Sequence, residues 1–559
     1  MSPQETTEYQ AINSPDVLLV LPPLYHTGRV PDTNPKEPMG LMYLAASLRE
    51  DQHNVTLFDA DIEARSIDQT TNKILKENPR IVGFSVLQRA LPSFELIVRG
   101  LREKGFNGHI TCGGITPSLS FPYILERLGD KVDSLVIGEG EQIVRSLTKN
   151  IINGSNWRET PGIAYLNSQG LQVVNKPIDM VDLDSLPFAS RDYLPYCLTK
   201  TNYATMLGSR GCWWGSCSFC SNNAFERQRG GSSWRGRNPI SIADEMEQLY
   251  EQYGVSVFKF NDPNIFSKGK EGRDHVIKFC QEVVKRKLPL HLMGFCRGDD
   301  ITTDPKIVDI LKSGGFERLL LGVESSDNEI LKKFRKGETV EGMEKALDIL
   351  HQAQISTVIG FMIFNPYTTV DSLKRDLQFL RKRGECPTLS KAMRVFDGTP
   401  IQPLLEAEGR LNKRNPFEGY HEYEMPRDIA AIYGSMKTLF TLSLDRIRAV
   451  GQDKIWDIKK TGSFRDRQDF NSLAAAFFSV ESFLLDNLIA WTETGDFNQE
   501  TVNETANQVY EKLRQIGDVI GVNVNEVIVD QNTMAKEIYR MMKERPWTTF
   551  PEEYRWNAD

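Results

Sequence analysis

Three cysteines fall within nine residues of this 559-residue chain, in the stretch Gly-Cys-Trp-Trp-Gly-Ser-Cys-Ser-Phe-Cys that ends at Cys220. Cys212, Cys217 and Cys220 can place three thiolates on one side of a metal ion or cluster, because Gly215 lets the loop between them bend. Three thiols without a metal are the alternative, since free cysteines are commonly buried as small apolar groups. Either way, the fold has to hold this loop in place.

The number of clustered cysteines favours an iron–sulfur cluster over a zinc site. A structural zinc site is closed by four ligands, and Cys197 or the distant His275 would be an awkward fourth. Three cysteines on a [4Fe–4S] cluster instead leave one iron with an open coordination position. A substrate or cofactor can bind directly at that iron.

The overall composition limits the class of protein. The length predicts several domains of ~150 residues each, and the net charge of -8 disfavours a bulk nucleic-acid surface. Mostly scattered cysteines beside an iron–sulfur site indicate a reducing cytoplasm. The polar residues 1–10 are not a signal peptide. The apolar run 474–491 contains Glu481 and Asp486, so we expect a buried helix and no membrane span.

The cysteine stretch resembles the cluster loop of radical S-adenosylmethionine (SAM) enzymes, whose pattern is C-x-x-x-C-x-x-C with an aromatic residue before the last cysteine. Phe219 occupies that aromatic position, and Cys217 and Cys220 have the expected spacing. Four residues rather than three separate Cys212 from Cys217, so the loop has to absorb one extra residue. The resemblance implies that the three cysteines hold a [4Fe–4S] cluster, which binds SAM through its open iron.

Residues 1–150 alternate apolar strands with helices, which predicts a doubly wound parallel sheet. Residues 17–21 form a continuous apolar run, as in a strand that is covered on both faces. Ligands of such sheets bind beyond the carboxyl ends of the strands. Four loops that follow strands therefore form one rim, at residues 22–25, 85–88, 113–118 and 138–141. A scaffold that has lost its ligand is the alternative, because fold does not fix function.

This rim resembles the cobalamin-binding domain found in front of many radical SAM cores. The matching features are Gly113-Gly114 followed by Ser118, the Gly-Glu-Gly-Glu turn that starts at Gly138, and the Pro-Met-Gly-Leu-Met-Tyr-Leu segment that ends at Leu44. The resemblance implies cobalamin as a further cofactor. The expected contacts are Tyr25, Ser85, Gln88, Gly113, Gly114, Thr116, Gly138 and Glu139.

A protein histidine below the cobalt is not expected. Some cobalamin proteins supply one from a D-x-H-x-x-G motif, but Thr56 stands at the glycine position after His53. His26 lies in the loop after the first strand, where Leu24 occupies the aspartate position. A lone loop histidine is more often solvated than bound to a metal.

Residues 201–410 repeat strand–helix units, with polar residues after each strand, which predicts a full or partial barrel whose site lies at the carboxyl ends. A single strand-end acid is commonly a helix N-cap, but recurrence on six successive strands, the last at 393–396, favours a shared site. The order of these endings also resembles the radical SAM family. It implies SAM contacts at Asp262, Arg297, Glu324 and Ser325, with Phe219 packed against the adenine.

The sequence therefore predicts an α/β protein of four parts. A Rossmann-like cobalamin-binding domain covers residues 1–150, and a connector covers 151–200, whose Leu-Pro-Phe run resembles the linker between such domains. A partial TIM-barrel radical SAM core covers 201–410, and a helical C-terminal domain covers 411–559. The last domain either covers the barrel mouth or has a structural or dimer-forming role.

The resemblance implies a cobalamin-dependent radical SAM methyltransferase, which transfers a methyl group from methylcobalamin to an unactivated carbon of a natural product. The Gly-Cys-Trp-Trp-Gly sequence resembles that of maturases of ribosomally made peptides. We therefore expect a peptide substrate first and a small molecule second. An external electron donor such as flavodoxin or ferredoxin is implied, without nucleic acid or membrane. A rearrangement or cyclisation without methyl transfer stays open, as does a cobalamin- or redox-responsive binding protein without turnover.

Overall fold

The computed structural model describes residues 14–24, 35–228, 234–414, 420–444, 446–447 and 468–544. Its N-terminal part is built on one sheet of seven strands in the order β2-β1-β3-β4-β5-β6-β7. The strands are β1 (Val17–Leu21), β2 (Val55–Asp59), β3 (Ile81–Ser85), β4 (His109–Gly113), β5 (Ser134–Val136), β6 (Ile163–Leu166) and β7 (Gln172–Val174).

The first five strands are parallel, and helices cover both faces of the sheet, as the alternating pattern predicts. Strands β6 and β7 are antiparallel and extend the same sheet, so this part of the predicted connector packs as part of the N-terminal unit. The helices here are α1 (Met39–Glu50), α2 (Ile67–Glu77), α3 (Leu91–Glu103), α4 (Ile115–Leu128), α5 (Gly140–Ile152) and α6 (Leu194–Lys200).

The central part contains a five-stranded parallel sheet in the order β14-β13-β12-β11-β8. Its strands are β8 (Tyr203–Met206), β11 (Val257–Phe260), β12 (His291–Cys296), β13 (Phe316–Glu324) and β14 (Ser356–Phe361). The short pair β9 (Ser209–Arg210) and β10 (Arg235–Gly236) flanks the cysteine loop, and β15 (Leu411–Arg414) pairs with β16 (His421–Tyr423).

Helices connect and cover these strands, which makes the central part a partial (β/α) barrel. They are α7 (Ser221–Arg227), α8 (Pro239–Tyr253), α9 (Gly269–Arg286), α10 (Gly298–Thr302), α11 (Ile307–Ser313), α12 (Asn328–Lys333), α13 (Val340–Gln352), α14 (Val370–Arg383) and α15 (Ile401–Ala407).

The predicted sixth strand at 393–396 does not form a regular strand. In this segment the described residues make only isolated bridges, from Ala392 to Phe364 and from Val395 to His421. The neighbouring β14 ends at Phe361, and the Asn365 side chain donates to the Met362 carbonyl at 3.0 Å. Pairing along this edge is thus limited to single bridges, and the described part of the barrel has five regular strands.

The C-terminal part is helical, as predicted. Helix α17 (Gln468–Thr494) includes the apolar run 474–491, and Leu484, Leu485 and Leu488 are fully buried. Its segment Ser472–Thr494 is long and apolar enough to cross a membrane, but α14, α16 (Arg427–Leu439) and α18 (Gln499–Ile520) pack against the helix. The helices are α16 (Arg427–Leu439), α17 (Gln468–Thr494), α18 (Gln499–Ile520), α19 (Val524–Val527) and α20 (Gln531–Glu544).

A carboxyl group at the end of β2 makes the stability of the N-terminal sheet depend on pH. Asp59 is buried, its Oδ1 accepts from the backbone of Asp61 and Ile62, and its Oδ2 has no partner among the described residues. Burial, aided by the nearby acids, raises the pKa of Asp59 to about 7. The folded state therefore binds this proton more tightly than the unfolded state, and stability falls as pH rises towards 7.

Asp59→Asn is expected to remove this effect, because the amide keeps the Oδ1 acceptor and cannot ionise. The variant should gain stability relative to the wild type, by about 2 kcal/mol more at pH 8 than at pH 5. Denaturant unfolding of both proteins at the two pH values measures this difference. Asp130→Asn, at an exposed surface pair, is the control. An equal effect of Asp59→Asn at both pH values would contradict the expectation.

Candidate active site and cofactor cavity

A cavity opens between the N-terminal sheet and the central barrel. Its empty volume is about 1410 Å³, which includes space open to solvent at the mouth. One wall is rich in glycine, with Gly83 in β3, Gly113 and Gly114 at the end of β4, and Gly138 and Gly140 after β5. The opposite wall belongs to the barrel and includes Arg210, Gly211, Asn222, Phe225, Glu226, Asn261 and Pro263. The residues just before and just after the cysteine cluster therefore face the N-terminal sheet across this cavity.

Backbone rather than side chains forms the N-terminal wall. Gly114 and Gly138 have positive φ angles of 107° and 100°, which disfavour any other residue. A Cβ atom at Gly113 would lie 3.1 Å from Val136 Cβ, and one at Gly140 would lie 3.1 Å from Leu44 Cδ2. The glycines leave room for a broad, flat ligand to approach the backbone, which fits the corrin ring of cobalamin.

A narrow slot continues from this wall into the N-terminal domain. It runs between the sheet and helices α1 and α5, and its lining extends from Ser85 at the end of β3 to Val17 and Ile81 at the starts of β1 and β3. Most of its lining is apolar, including Leu19, Val136 and Val144. Such a slot fits the nucleotide tail of a corrinoid, which is long and ends in an aromatic base.

The structure brings most of the predicted cobalamin contacts to this cavity. Ser85, Gly113, Gly114, Gly138 and Glu139 line it. Gln88, in a 3₁₀ turn, and Thr116, in the first turn of α4, are near the same rim but are not part of the lining. Tyr25 and His26 lie outside the described residues. A direct contact with cobalamin stays a prediction for each of these residues.

Glu139 is engaged by arginines of the barrel. Its carboxylate lies 2.5 Å from Arg235 and 3.1 Å from Arg210, and Arg210 also pairs with Glu141 at 2.6 Å. Burial would raise the pKa of Glu139, but the two arginines outweigh it and hold that pKa at about 2. Arg210 immediately precedes the cysteine loop. These ion pairs therefore tie the cobalamin rim to the loop that carries the cysteines.

The arginines between residues 227 and 237 make specific contacts near the cysteine loop. Arg235 pairs with Glu139, Arg237 pairs with Glu245 at 2.6 Å, and Arg227 donates to the Gly215 carbonyl. Arg210 was not predicted, because nothing local marks it. Glu141 lies in the predicted rim at 138–141 but was not among the expected cobalamin contacts. The one available signal was an excess of arginines near a cofactor loop.

The cysteine loop accommodates its extra residue by anchoring both tryptophans. Gly211 and Gly215 have positive φ angles of 83° and 59°. Trp213 Nε1 donates to Asp300 at 2.9 Å, and Trp214 Nε1 donates to the Arg335 carbonyl at 2.8 Å. The Arg297 guanidinium lies 5.2 Å and 4.8 Å from the two ring centres. The longer loop is therefore held by specific contacts.

The three cysteines share an environment that suits an iron–sulfur cluster. Cys217 is buried, while Cys212 and Cys220 are half-buried. Burial raises the pKa of the Cys217 thiol to about 12, although Lys336 and Arg297 act in the opposite direction. Bound iron would supply the positive charge that buried thiolates need. Within the described ranges, no three ligand side chains converge on a single ion. Cluster cysteines bind different irons, so such convergence is not required.

Glu324 has the strongest marks of a functional residue among the predicted SAM contacts. It adopts φ 68°, which is unusual for a residue with a side chain. Its carboxylate lies over Gly322 and Gly360, which are paired between β13 and β14, with the Lys336 ammonium nearby. Burial raises the pKa of Glu324 to about 7, against the effect of Lys336. A cationic ligand group at this position would restore the ionised form.

Other predicted SAM contacts make hydrogen bonds within the protein. The Asp262 carboxylate accepts from Gly208 N at 2.9 Å and from Ser209 Oγ at 2.7 Å. Arg297 pairs with Asp299 at 2.8 Å, and the buried Ser325 Oγ accepts from Asp327 N at 3.2 Å. Phe219 packs edge-on to Phe334 with 5.3 Å between ring centres. Their contact with SAM stays a prediction.

Comparison with known protein families agrees with this geometry. The family model of the B12 binding domain matches residues 33–148, and that of the radical SAM superfamily matches residues 206–380. The fold and site thus define a radical SAM protein with a cobalamin-binding domain. The chain belongs to the cobalamin-dependent radical SAM enzymes, and its cofactors are cobalamin, SAM and a [4Fe–4S] cluster.

Curated relatives differ in the reactions that their names describe. The anaerobic magnesium-protoporphyrin IX monomethyl ester cyclase of Synechocystis is 28% identical over 57% of this chain and 64% of its own. An uncharacterized methyltransferase of Pyrococcus horikoshii is 26% identical over 66% of this chain and 78% of its own. The hopanoid C-3 methylase of Methylococcus capsulatus is 26% identical over 58% of this chain and 61% of its own. The chain thus spans less than two thirds of the cyclase and the methylase.

Two solved structures have the same fold. The cobalamin-dependent SAM radical enzyme OxsB, with aqua-cobalamin and SAM bound, matches 97% of this chain and 85% of its own, with a TM-score of 0.71 and 20% identity. The radical SAM methyltransferase TsrM of Kitasatospora setae matches 71% of this chain and 75% of its own, with a TM-score of 0.57 and 20% identity.

Arg210→Ala should weaken both cofactor sites at once, because it leaves Glu141 without its arginine and loosens the start of the cysteine loop. Removing one partner of a buried ion pair costs about 3 kcal/mol. We expect lower cobalamin affinity and lower iron content, measured by absorption titration and metal analysis. The control is Arg286→Ala, which breaks ion pairs with Asp244 and Glu247 away from the cavity. Loss of only one cofactor would show that the link does not couple the two sites.

Gly322→Ala should weaken SAM binding by displacing Glu324, because the new Cβ would lie 2.5 Å from Glu324 Oε1. Gly360→Ala is a matched control, since its Cβ would lie 3.7 Å from the same carboxylate, an ordinary contact. Anaerobic equilibrium dialysis of SAM against the cluster-loaded proteins measures the effect. Equal SAM affinity of the two variants would argue against Glu324 as a SAM contact.

Proposed function

We propose that this protein is a methyltransferase that uses SAM and cobalamin to methylate an unactivated carbon. The observation that supports this proposal is the shared cavity, in which the glycine wall of the cobalamin domain faces Arg210, Gly211, Asn222 and Phe225. These barrel residues directly flank the cysteine loop. A corrin ring on the glycine wall would therefore present one face to the cluster and SAM side, where a substrate carbon can lie between them.

When bound, the cluster and SAM supply a radical that removes a hydrogen atom from the substrate, and cobalamin supplies the methyl group. The chain's own residues bind and align these groups. Cys212, Cys217 and Cys220 hold the cluster, and the Arg210 ion pairs fix the distance between the cluster loop and the rim. Trp213 and Trp214 anchor the loop through hydrogen bonds to Asp300 and to the Arg335 carbonyl.

The substrate in this proposal is a natural product, with a ribosomally made peptide first and a small molecule second. The preference for a peptide substrate rests on the Gly-Cys-Trp-Trp-Gly sequence of the cluster loop. The C-terminal helices pack against the barrel through α14 and α17, so they belong to the same body as the site. An external one-electron donor such as flavodoxin or ferredoxin completes the reaction.

A second candidate is a rearrangement or cyclisation without methyl transfer. The cyclase relative favours it, because the name of that relative describes ring formation. Its identity to this chain, 28%, is as high as that of any methyltransferase described above. Both candidates require the same three cofactors. They differ in whether the methyl group of SAM ever reaches the corrinoid.

An isotope experiment separates the two candidates without knowledge of the substrate. Anaerobically loaded protein with reduced cobalamin is incubated with SAM that carries a CD₃ group, and the extracted corrinoid is analysed by mass spectrometry. We expect a labelled methyl group on the corrinoid and S-adenosylhomocysteine as co-product. Formation of 5′-deoxyadenosine under reducing conditions without any labelled corrinoid would overturn methyl transfer and favour the rearrangement.

Cys217→Ala provides the control for cofactor loading. We expect the wild type to hold about four irons per chain together with cobalt. The variant should lose iron and 5′-deoxyadenosine formation and keep its cobalt. Cys386→Ala should keep its iron and cobalt, because Cys386 follows α14, outside the cysteine loop, and its Sγ contacts the Gly384 carbonyl. Iron retained by Cys217→Ala would contradict the assignment of this cysteine.

A further inference from the structure

One buried hydroxyl at the inner end of the cavity slot has no hydrogen-bond partner. Thr148 on α5 is fully buried, it lines the slot, and its Oγ1 contacts no donor or acceptor among the described residues. Helical threonines commonly bond to the carbonyl four residues earlier. Thr70 and Thr71 on α2 do so, at 2.8 Å to Ser66 O and 2.9 Å to Ile67 O. Thr148 thus differs from these two threonines, and unlike the unpartnered Ser47 it lines the cavity.

The position of Thr148 shows which part of a ligand would reach it. Helix α5 starts at the cofactor rim with Gly140, and eight residues at 1.5 Å each place Thr148 ~12 Å further along the helix. Val17 and Ile81, the first residues of β1 and β3, are paired neighbours and line the same inner end. A nucleotide tail that enters from the rim would therefore bring the outer edge of its base to Thr148, and its point of attachment to the corrin ring would stay near the rim.

An unpartnered hydroxyl in an apolar slot affects which ligand edge is accepted. Buried polar groups without a partner are unfavourable, and the Thr148 hydroxyl is shielded from water as well as unpartnered. A ligand with an apolar edge leaves the hydroxyl in that state. A ligand edge that donates or accepts a hydrogen bond avoids this loss. The slot is otherwise lined mainly by apolar side chains, so this hydroxyl offers a specific polar contact there.

We propose that the Thr148 hydroxyl contacts the lower base of the bound corrinoid and favours bases that carry a polar group on their outer edge. Examples are a 5-hydroxybenzimidazole or an aminopurine, whereas 5,6-dimethylbenzimidazole presents two methyl groups there. This inference rests on the cobalamin site and not on methyl transfer. It assigns a specificity-determining role to a residue that has no place in the chemistry.

The test is a binding titration of corrinoid-free protein, with no SAM or substrate present. Corrinoids with 5-hydroxybenzimidazole, adenine and 5,6-dimethylbenzimidazole lower bases are compared by absorption changes and equilibrium dialysis. The wild type should bind at least one of the two polar-edged corrinoids about five-fold more tightly than the dimethyl form, which is the contribution of one net hydrogen bond. Thr148→Val, which keeps the shape and removes the hydroxyl, should abolish that preference.

Two further variants keep the result interpretable. Ser47→Ala removes another buried, unpartnered hydroxyl, on α1, that does not line the cavity, so it should preserve the wild-type preference. Thr148→Ser keeps the hydroxyl and should also preserve it, even if Thr148→Val folds poorly. An unchanged preference in Thr148→Val, or no preference in the wild type, would overturn the proposal. Binding of none of the corrinoids would overturn the cobalamin site itself, whereas a failed methyl-transfer assay would leave this titration unaffected.

Discussion

Buried contacts between arginines and carboxylates hold the two cofactor domains in one arrangement. Arg210 and Arg235 from the barrel pair with Glu139 and Glu141 from the cobalamin rim, and these side chains are 5–19% exposed. Such pairs add little net stability, because desolvation offsets their attraction, but breaking one is costly. Their value lies in geometry. A reaction between two cofactors loses orders of magnitude in rate when they are misplaced by about 1 Å.

A second buried network places the connector between the same domains. Arg191 pairs with Glu37 at the start of α1 and with Glu245 on α8, and Glu245 also pairs with Arg237. Two positive and two negative side chains thus balance inside the protein. The Glu37 carboxylate also accepts from Thr205 N in β8 at 2.8 Å. The connector is therefore a third element of the interface and does not act as a flexible tether.

The sequence predicted what is local and missed what depends on packing. The continuous apolar run at 17–21 located β1 with the same bounds as the structure, and the cysteine spacing located the cluster loop. The partner of Arg210 lies 69 residues away in Glu141, and no periodicity or motif links the two positions. The prediction of a regular sixth barrel strand was wrong, because this segment makes only isolated bridges, on one side to Phe364 and on the other to His421.

The extra residue of the cluster loop shows how distant segments compensate for a local change. Trp214 lies against Gly337, where a Cβ atom would come within 2.0 Å of the indole ring, and Gly337 has a φ of 72°. Only glycine therefore satisfies both the space and the backbone at this position. Its neighbours Lys336 and Glu338 pair with each other at 3.0 Å, and Lys336 also faces Glu324. The segment that contacts the longer loop thus also sets the charge around Glu324, the proposed SAM contact. The loop length and the SAM site are therefore constrained together.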